Sequence, residues 1–255
     1  SKKYNYWFEV DNGQATLIKY TGEEYHVKLP SSVYGVPVTK LGEYEVLNLS
    51  GAAKRGIFED SNVSEVSIPE GVTEICNDAF YSSGLCEVNI PSSVRVVGTR
   101  AFAFCKYLRS VEFETGIKTI SESMFSNCKN LRFIELPSSV EKIEGDAFAE
   151  CALQKIDLPE NINTIESYAF RECDSLTFVT IPPKVTSINS GTFYSCDFLE
   201  KVNIHDEVKY IANDAFDRCD KLTICGIKGS YAEQYANEHN IPFEELDATI
   251  EFLNK

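Results

Sequence analysis

The 255-residue sequence contains no run of about 18 apolar residues, so no segment of it reads as a bilayer-spanning helix. Its first residues, Ser1-Lys2-Lys3-Tyr4-Asn5-Tyr6-Trp7, lack the apolar stretch of a signal peptide, which by itself says nothing about compartment. Basic residues are in short supply: 24 Lys and Arg stand against 39 Asp and Glu, a formal net charge of −15. A field of that sign repels phosphate backbones and anionic bilayers, so the expected partner is neither a nucleic acid nor a membrane. Histidine is rarer still. His26, His205 and His239 lie far apart in different contexts, and no Ser-His-Asp or Cys-His order carries a supporting motif. A phosphate loop, an H-E-x-x-H pair and a calcium loop are also missing. The residues therefore point away from an enzyme, and no metal or cofactor is expected. The nine cysteines are odd in number, widely spaced and without a C-x₂-C pair, which fits neither a disulfide scaffold nor a zinc site. What remains suffices for a folded core, with 43% of the residues hydrophobic and 25% charged.

Within that composition one pattern dominates. Phenylalanine recurs at Phe58, Phe80, Phe102, Phe125, Phe148, Phe170, Phe193 and Phe216, at intervals of 22, 22, 23, 23, 22, 23 and 23 residues. A small residue usually precedes it, as at Ala79, Ala101, Ala147, Ala169 and Ala215, with Met124 and Thr192 as variants. The change of interval has a single location. Where the interval is 23, the next apolar anchor falls six residues after the Phe, at Leu108, Leu131, Leu176 and Leu199. Where it is 22, the anchor falls five after, at Val63, Leu85 and Leu153. A shared scaffold that absorbs one residue in one turn explains the slip, and self-similarity at this period is the mark of a solenoid.

A short alternating stretch follows the anchor: Val66-Ser67-Ile68-Pro69, Val88-Asn89-Ile90-Pro91, Ile134-Glu135-Leu136-Pro137, Ile156-Asp157-Leu158-Pro159 and Val179-Thr180-Ile181-Pro182. Alternation with β-branched residues predicts a strand buried on one face, and proline closes it because it cannot donate to a ladder. Strands this short pair only with the same segment of the neighbouring turn, which predicts a parallel sheet with strands about 4.8 Å apart. A second apolar pair comes next, from Val72 and Ile75 through Val208 and Ile211. Two residues later stands Asn77, Thr99, Ser167, Ser190 or Asn213, with Glu122 and Gly145 as exceptions. Such a residue reads as an N-cap, making the Ala-Phe segment a short helical or 3₁₀ turn whose Phe points into the solenoid. Three residues past the Phe lies a cysteine at Cys105, Cys128, Cys151, Cys173, Cys196 and Cys219, with Ser61 and Ser83 in the same slot. A row of metal ligands or redox thiols is one reading. Serine in the same slot favours the other, a small buried residue stacked in every turn. Cys76, Cys86 and Cys225 fall outside this column.

Quoted as it stands, Ala101-Phe102-Ala103-Phe104-Cys105 through Leu108, Val111 and Phe113 to Ile117 and Ile120 resembles the BspA-like leucine-rich repeat. The pattern A-F-x-x-C-x-x-L-x-x-V-x-I-P-x-x-V-x-x-I recurs in about seven near-copies over residues 58–228. Residues 1–41, closing with Tyr34-Gly35-Val36-Pro37-Val38-Thr39-Lys40-Leu41, are similar to the family's N-terminal hairpin and first partial repeat. Leu41 and Phe58 stand 17 residues apart where Ile75 and Phe80 stand five apart, which places an insertion at 42–57. Residues 229–255 are similar to the family's end and read as a cap. There Ser230 and Glu233 form a capping box, and Tyr231, Ala232, Tyr235 and Ala236 share one helical face. The implied fold is of the α/β class: a right-handed leucine-rich-repeat solenoid in one continuous domain, with a parallel β-sheet on one face and short helical or 3₁₀ turns opposite. A β-hairpin caps its N-terminus and a helix its C-terminus. The resemblance also implies a bacterial cell-surface or secreted protein, a monomer that binds a protein ligand. That ligand would be a host extracellular-matrix protein or another bacterial surface protein.

The strand face is where binding is expected. Alternation exposes one column of Glu65, Glu87, Ser110, Phe133, Lys155, Phe178 and Lys201 and a second of Ser67, Asn89, Glu112, Glu135, Asp157, Thr180 and Asn203. Exposed aromatics anchor interfaces, so Phe133 and Phe178 among Lys155 and Lys201 mark the candidate site; single exposed apolar residues are also common on any surface. Glu112, Glu135 and Asp157 would stack at strand spacing, where like charges repel. Lys155 and solvation relieve this more readily than a bound cation does. The competing readings are a structural spacer within a larger surface protein and an unrecognised hydrolase.

Overall fold

The computed structural model describes residues 5–48, 51–114 and 116–246. The chain winds into a parallel-strand solenoid of about ten turns, with one helix among the described residues, near the C-terminal end. Three hydrogen-bonded ladders run along it. The first is the expected sheet, in which His26–Lys28, Glu65–Ser67, Glu87–Ile90 and Ser110–Phe113 pair in parallel with Val66, Val88 and Val111 in register. Single bridges from Glu135 to Asp157 and from Lys155 to Phe178 continue it. Phe178–Thr180, Lys201–Ile204, Thr223–Gly226 and Phe243–Glu245 complete it. The second ladder is built from the second apolar pairs, as where Lys142–Ile143 joins Thr119–Ile120 on one side and Thr164–Ile165 on the other.

The third ladder occupies the Phe-bearing segment, and it refines the helical or 3₁₀ turn read from the sequence. The i to i+3 bonds of such a turn do form, with Tyr81 N–H on the Asp78 carbonyl at 2.9 Å and Ser83 N–H on the Phe80 carbonyl at 3.0 Å. No helix propagates, because residues two before and two after the Phe take left-handed backbone. Asp78 and Ser82 sit at φ 55°, Asp146 at 53° and Glu150 at 58°. The alternate amides are thereby turned toward the next turn: Phe80 N–H reaches the Ala101 carbonyl and Ser82 N–H the Ala103 carbonyl, both at 2.8 Å. Of the residues read as N-caps, Asn77 serves the same purpose and Ser190 reaches the next turn by donating to Asp214 at 2.7 Å. The Asn77 side-chain oxygen accepts from Thr99 N–H of the following turn at 2.9 Å, not from a helix of its own. Left-handed backbone costs a non-glycine residue about 1–2 kcal/mol, and each inter-turn bond returns about 1 kcal/mol while sparing a buried amide from being orphaned.

The core is a column of rings. Phe58 through Phe193 are fully buried and Phe216 nearly so, and successive ring centroids lie 5.0–5.6 Å apart with planes within 14° of parallel. Beside it runs the cysteine column, which proves to be structural. Each thiol donates to the carbonyl of the preceding turn's Phe, from Cys105 to Phe80 at 3.0 Å through Cys219 to Phe193 at 3.0 Å. All nine cysteines are free thiols. Ser61, in the first such slot, has a buried hydroxyl without a hydrogen-bond partner among the described residues.

Tyrosines close the ring column. Tyr20 tilts over Phe58 at 5.3 Å, and Tyr235 meets Phe216 edge-on at 6.1 Å. Tyr20 belongs to the N-terminal hairpin, Tyr6–Asp11 against Gln14–Tyr20, turned by Asn12-Gly13 with both residues at positive φ as a tight hairpin requires. Tyr235 belongs to the helix Tyr231–Glu238. Its N-terminus is closed by Ser230, whose hydroxyl accepts from Glu233 N–H, while the Glu233 carboxylate accepts from Gly229 N–H at 2.6 Å. The insertion at 42–57 is a second antiparallel hairpin, Glu43–Asn48 against Gly51–Gly56. Gly56 must be glycine, since a Cβ there would lie 1.8 Å from the Asp78 carbonyl.

Two expectations follow. Phe148→Ala should lower unfolding free energy by about 3–5 kcal/mol in urea titration, against less than about 0.5 kcal/mol for Phe133→Ala on the surface. Burial pushes the Cys105 thiol up to about 11 and those of Cys128 and Cys173 well above the ordinary 9.0. The unfolded chain therefore releases these protons first as pH rises. Their contribution to stability is complete below pH 9.0 and is lost progressively above it. Urea midpoints at pH 7 and pH 10 should show that loss, and Cys128→Ser should shrink it.

Candidate binding face

The exposed columns of the strand ladder form the face singled out from the sequence. Phe133 is 60% exposed and Phe178 36%. Lys155 holds Asp157 at 3.0 Å, and Lys201 holds Glu244 at 2.6 Å. Phe178 pairs with Lys155 on one side and with Lys201 on the other, because the strand register puts the first residues of three successive turns side by side.

A groove of about 1170 Å³ runs along the C-terminal half of this face. Its lining includes Lys155, Asp157, Phe178, Lys201, Asn203 and Glu244. Four of the predicted site residues, Lys155, Asp157, Phe178 and Lys201, are thus brought together. Phe133, Glu112 and Glu135 do not line it. The acidic stack splits as well: Glu135 bridges to Asp157, whereas Glu112 pairs with Asn89 in the N-terminal part of the ladder. Among the described residues no backbone pairing joins Glu112 to Glu135. The Lys155 ammonium sits on Asp157, the partner expected to relieve the crowding of carboxylates there.

The far wall comes from residues the sequence reading did not single out. The strand Phe243–Glu245 adds to the ladder in parallel beside Thr223–Gly226, and it carries Glu244 to Lys201. The only trace of it in the sequence is Pro242 before an aromatic. Cys225 finds its place here, in register between Asn203 and Glu244 but buried. Cys76 lies beside Glu74, and burial together with that carboxylate pushes its thiol up to about 12. His205 occupies the slot filled by proline in other turns. Its Nδ1 accepts from Glu207 N–H at 3.2 Å, so Nε2 carries the proton and donates to the Pro182 carbonyl at 2.8 Å. His26 faces Glu65 at 2.8 Å, and His239 stacks on Tyr235. The three imidazoles thus have separate structural partners. Among the described residues no cluster of three His, Cys, Asp or Glu is placed to hold a metal ion. Among them, too, no helix is long and apolar enough to cross a membrane.

Turns of 22 or 23 residues, each adding a buried Phe to one column and a short parallel strand to one open face, define a leucine-rich-repeat protein. The BspA type leucine rich repeat region, in six copies, matches residues 52–173 and 100–223, and the chain belongs to that family. Among solved structures, a leucine-rich repeat protein from Bacteroides ovatus is 21% identical over 94% of this chain and 74% of that one, with a TM-score of 0.64. A leucine rich cell surface protein from Faecalibacterium prausnitzii is 22% identical over 98% and 95%, with a TM-score of 0.47. No curated protein matches the chain. The fold is one used for protein interaction.

Proposed function

We propose that the chain is a non-catalytic protein-binding module that acts on the bacterial cell surface or outside the cell. The observation that carries this reading is the groove on the strand face, where Phe178 stands between Lys155 and Lys201 with Asn203 and Glu244 behind them. An apolar ring flanked by charges that already have partners offers contact area at the centre and polar selectivity at the rim. The ligand is a protein, either of the host extracellular matrix or of another bacterial surface. Phe133 extends the same face beyond the groove. The surface location is supported by membership of the BspA type family.

Immobilised host matrix proteins and intact bacterial cells serve as probes in a binding assay. The double change Phe133→Ala and Phe178→Ala should weaken capture at least about tenfold, as expected for truncated interface anchors, while Tm moves by less than about 2 °C. Undiminished capture by a folded double variant would remove this face from the site. Absence of capture by the native chain would favour the reading as a spacer.

A further inference from the structure

A second surface, outside the strand face, carries charges sorted along the solenoid axis. In the loop from each thiol to its strand, the residue after the thiol is Lys106, Lys129, Ala152, Asp174 and Asp197 in successive turns. The residue after the next anchor is Arg109, Arg132, Gln154, Thr177 and Glu200. Backbone bonds set these in a row, with Gln154 N–H on the Arg132 carbonyl at 3.0 Å, Thr177 on Gln154 at 3.3 Å and Glu200 on Thr177 at 2.9 Å. The Asn130 side chain ties the first two turns together by donating to the Lys106 carbonyl at 2.6 Å. Every one of these residues except Ala152 is exposed.

Four cations therefore occupy the two turns before Ala152, and Asp174, Asp197 and Glu200 the two turns after it. An exposed aromatic stands in each half: Tyr107 next to Lys106 is 62% exposed, and Phe198 next to Asp197 is 51% exposed and carries the Lys221 ammonium 3.7 Å from its ring centre. Among the described residues Arg109 stands 3.9 Å from Glu87, while Lys129 is hydrogen-bonded to Glu150 at 3.3 Å. On the acidic side, partial burial first and then the neighbouring Asp197 carboxylate raise Asp174 above its ordinary value, with Lys129 opposing them.

We propose that this edge binds a second copy of the same chain, the two solenoids lying antiparallel about a two-fold axis at the Ala152 turn. Lys106 and Arg109 of one copy then face Asp197 and Glu200 of the other, Lys129 and Arg132 face Asp174, and Tyr107 meets Phe198. Each contact occurs twice, as a two-fold interface demands. The expected monomer is replaced by a weak dimer, since a narrow strip falls below the about 1,200 Å² of standard interfaces. The net charge of −15 on each copy opposes association. At 0.15 M salt, however, charges more than about 8 Å away are screened, and the local pattern decides. The inference is independent of the strand-face reading.

Sedimentation equilibrium at 0.15 M salt should show the native chain passing from monomer to dimer between about 5 and about 500 µM. Lys106→Glu with Lys129→Glu, and separately Asp174→Lys with Asp197→Lys, should each weaken association at least about tenfold. An equimolar mixture of the two reversed variants should recover a one-to-one complex, because both faces become complementary again. Thermal unfolding checks that the variants fold, and Lys106→Gln with Lys129→Gln provides a milder pair if either does not. A native chain that stays monomeric, assembly that grows past the dimer, reversed variants that associate undiminished, or a mixture that fails to recover would each overturn the proposal.

Discussion

No turn of this chain can satisfy its own backbone or bury its own phenylalanine; both needs are met only by the neighbouring turn. The amides of Phe80 and Ser82 point out of their own turn toward Ala101 and Ala103. The Phe80 carbonyl receives the Cys105 thiol of that same next turn. Ring, thiol and strand thus repeat at one spacing, and each new turn consumes the open valences of the last. Stability in such an array is a sum of nearest-neighbour terms, which makes the two ends the weak points. Tyr20 and Tyr235 answer that weakness by tilting across the first and last rings where a parallel ring would leave another open face.

The parts of this fold that were legible in the sequence are those that repeat. A fully buried ring has one volume to fill, so Phe returns in every turn, and the strand alternation returns with it. The backbone of the Phe-bearing segment was harder to read. Asp78, Ser82 and Asn127 suit left-handed backbone, but they also suit helix ends; Phe104, Glu150 and Arg218 at equivalent positions suggest neither. The choice between helix and inter-turn ladder is made by the neighbouring turn, which no local window contains. The same holds for the candidate site. Phe178, Lys155 and Lys201 could be placed by register alone, while the wall at Glu244 depends on a strand of three residues that belongs to no repeat.

The strand face and the loop edge divide the surface chemistry between them. On the face, Lys155 and Lys201 are each held by a carboxylate, so the aromatic ring between them is the element with unspent capacity. Along the edge the charges are sorted by turn, with Lys129 and Asp174 near enough to interact and Lys106 and Asp197 at its two ends. A repeat protein has one axis on which to arrange such differences. The solenoid core is nearly invariant from turn to turn, and the exposed positions carry what distinguishes one turn from the next.

The hairpin at 42–57 shows how tolerant that arrangement is of cargo. The chain leaves the solenoid at Gly42 and re-enters at Ile57, and the two are joined by a hydrogen bond of 3.2 Å, with Gly42 N–H on the Leu17 carbonyl and Tyr20 N–H on the Ile57 carbonyl. The ladder therefore closes beneath the insertion as if the residues between were absent. Such a pinch is a docking port in the covalent sense: a place where the length and content of a loop can drift over generations, or be exchanged outright, while the spine below keeps its count.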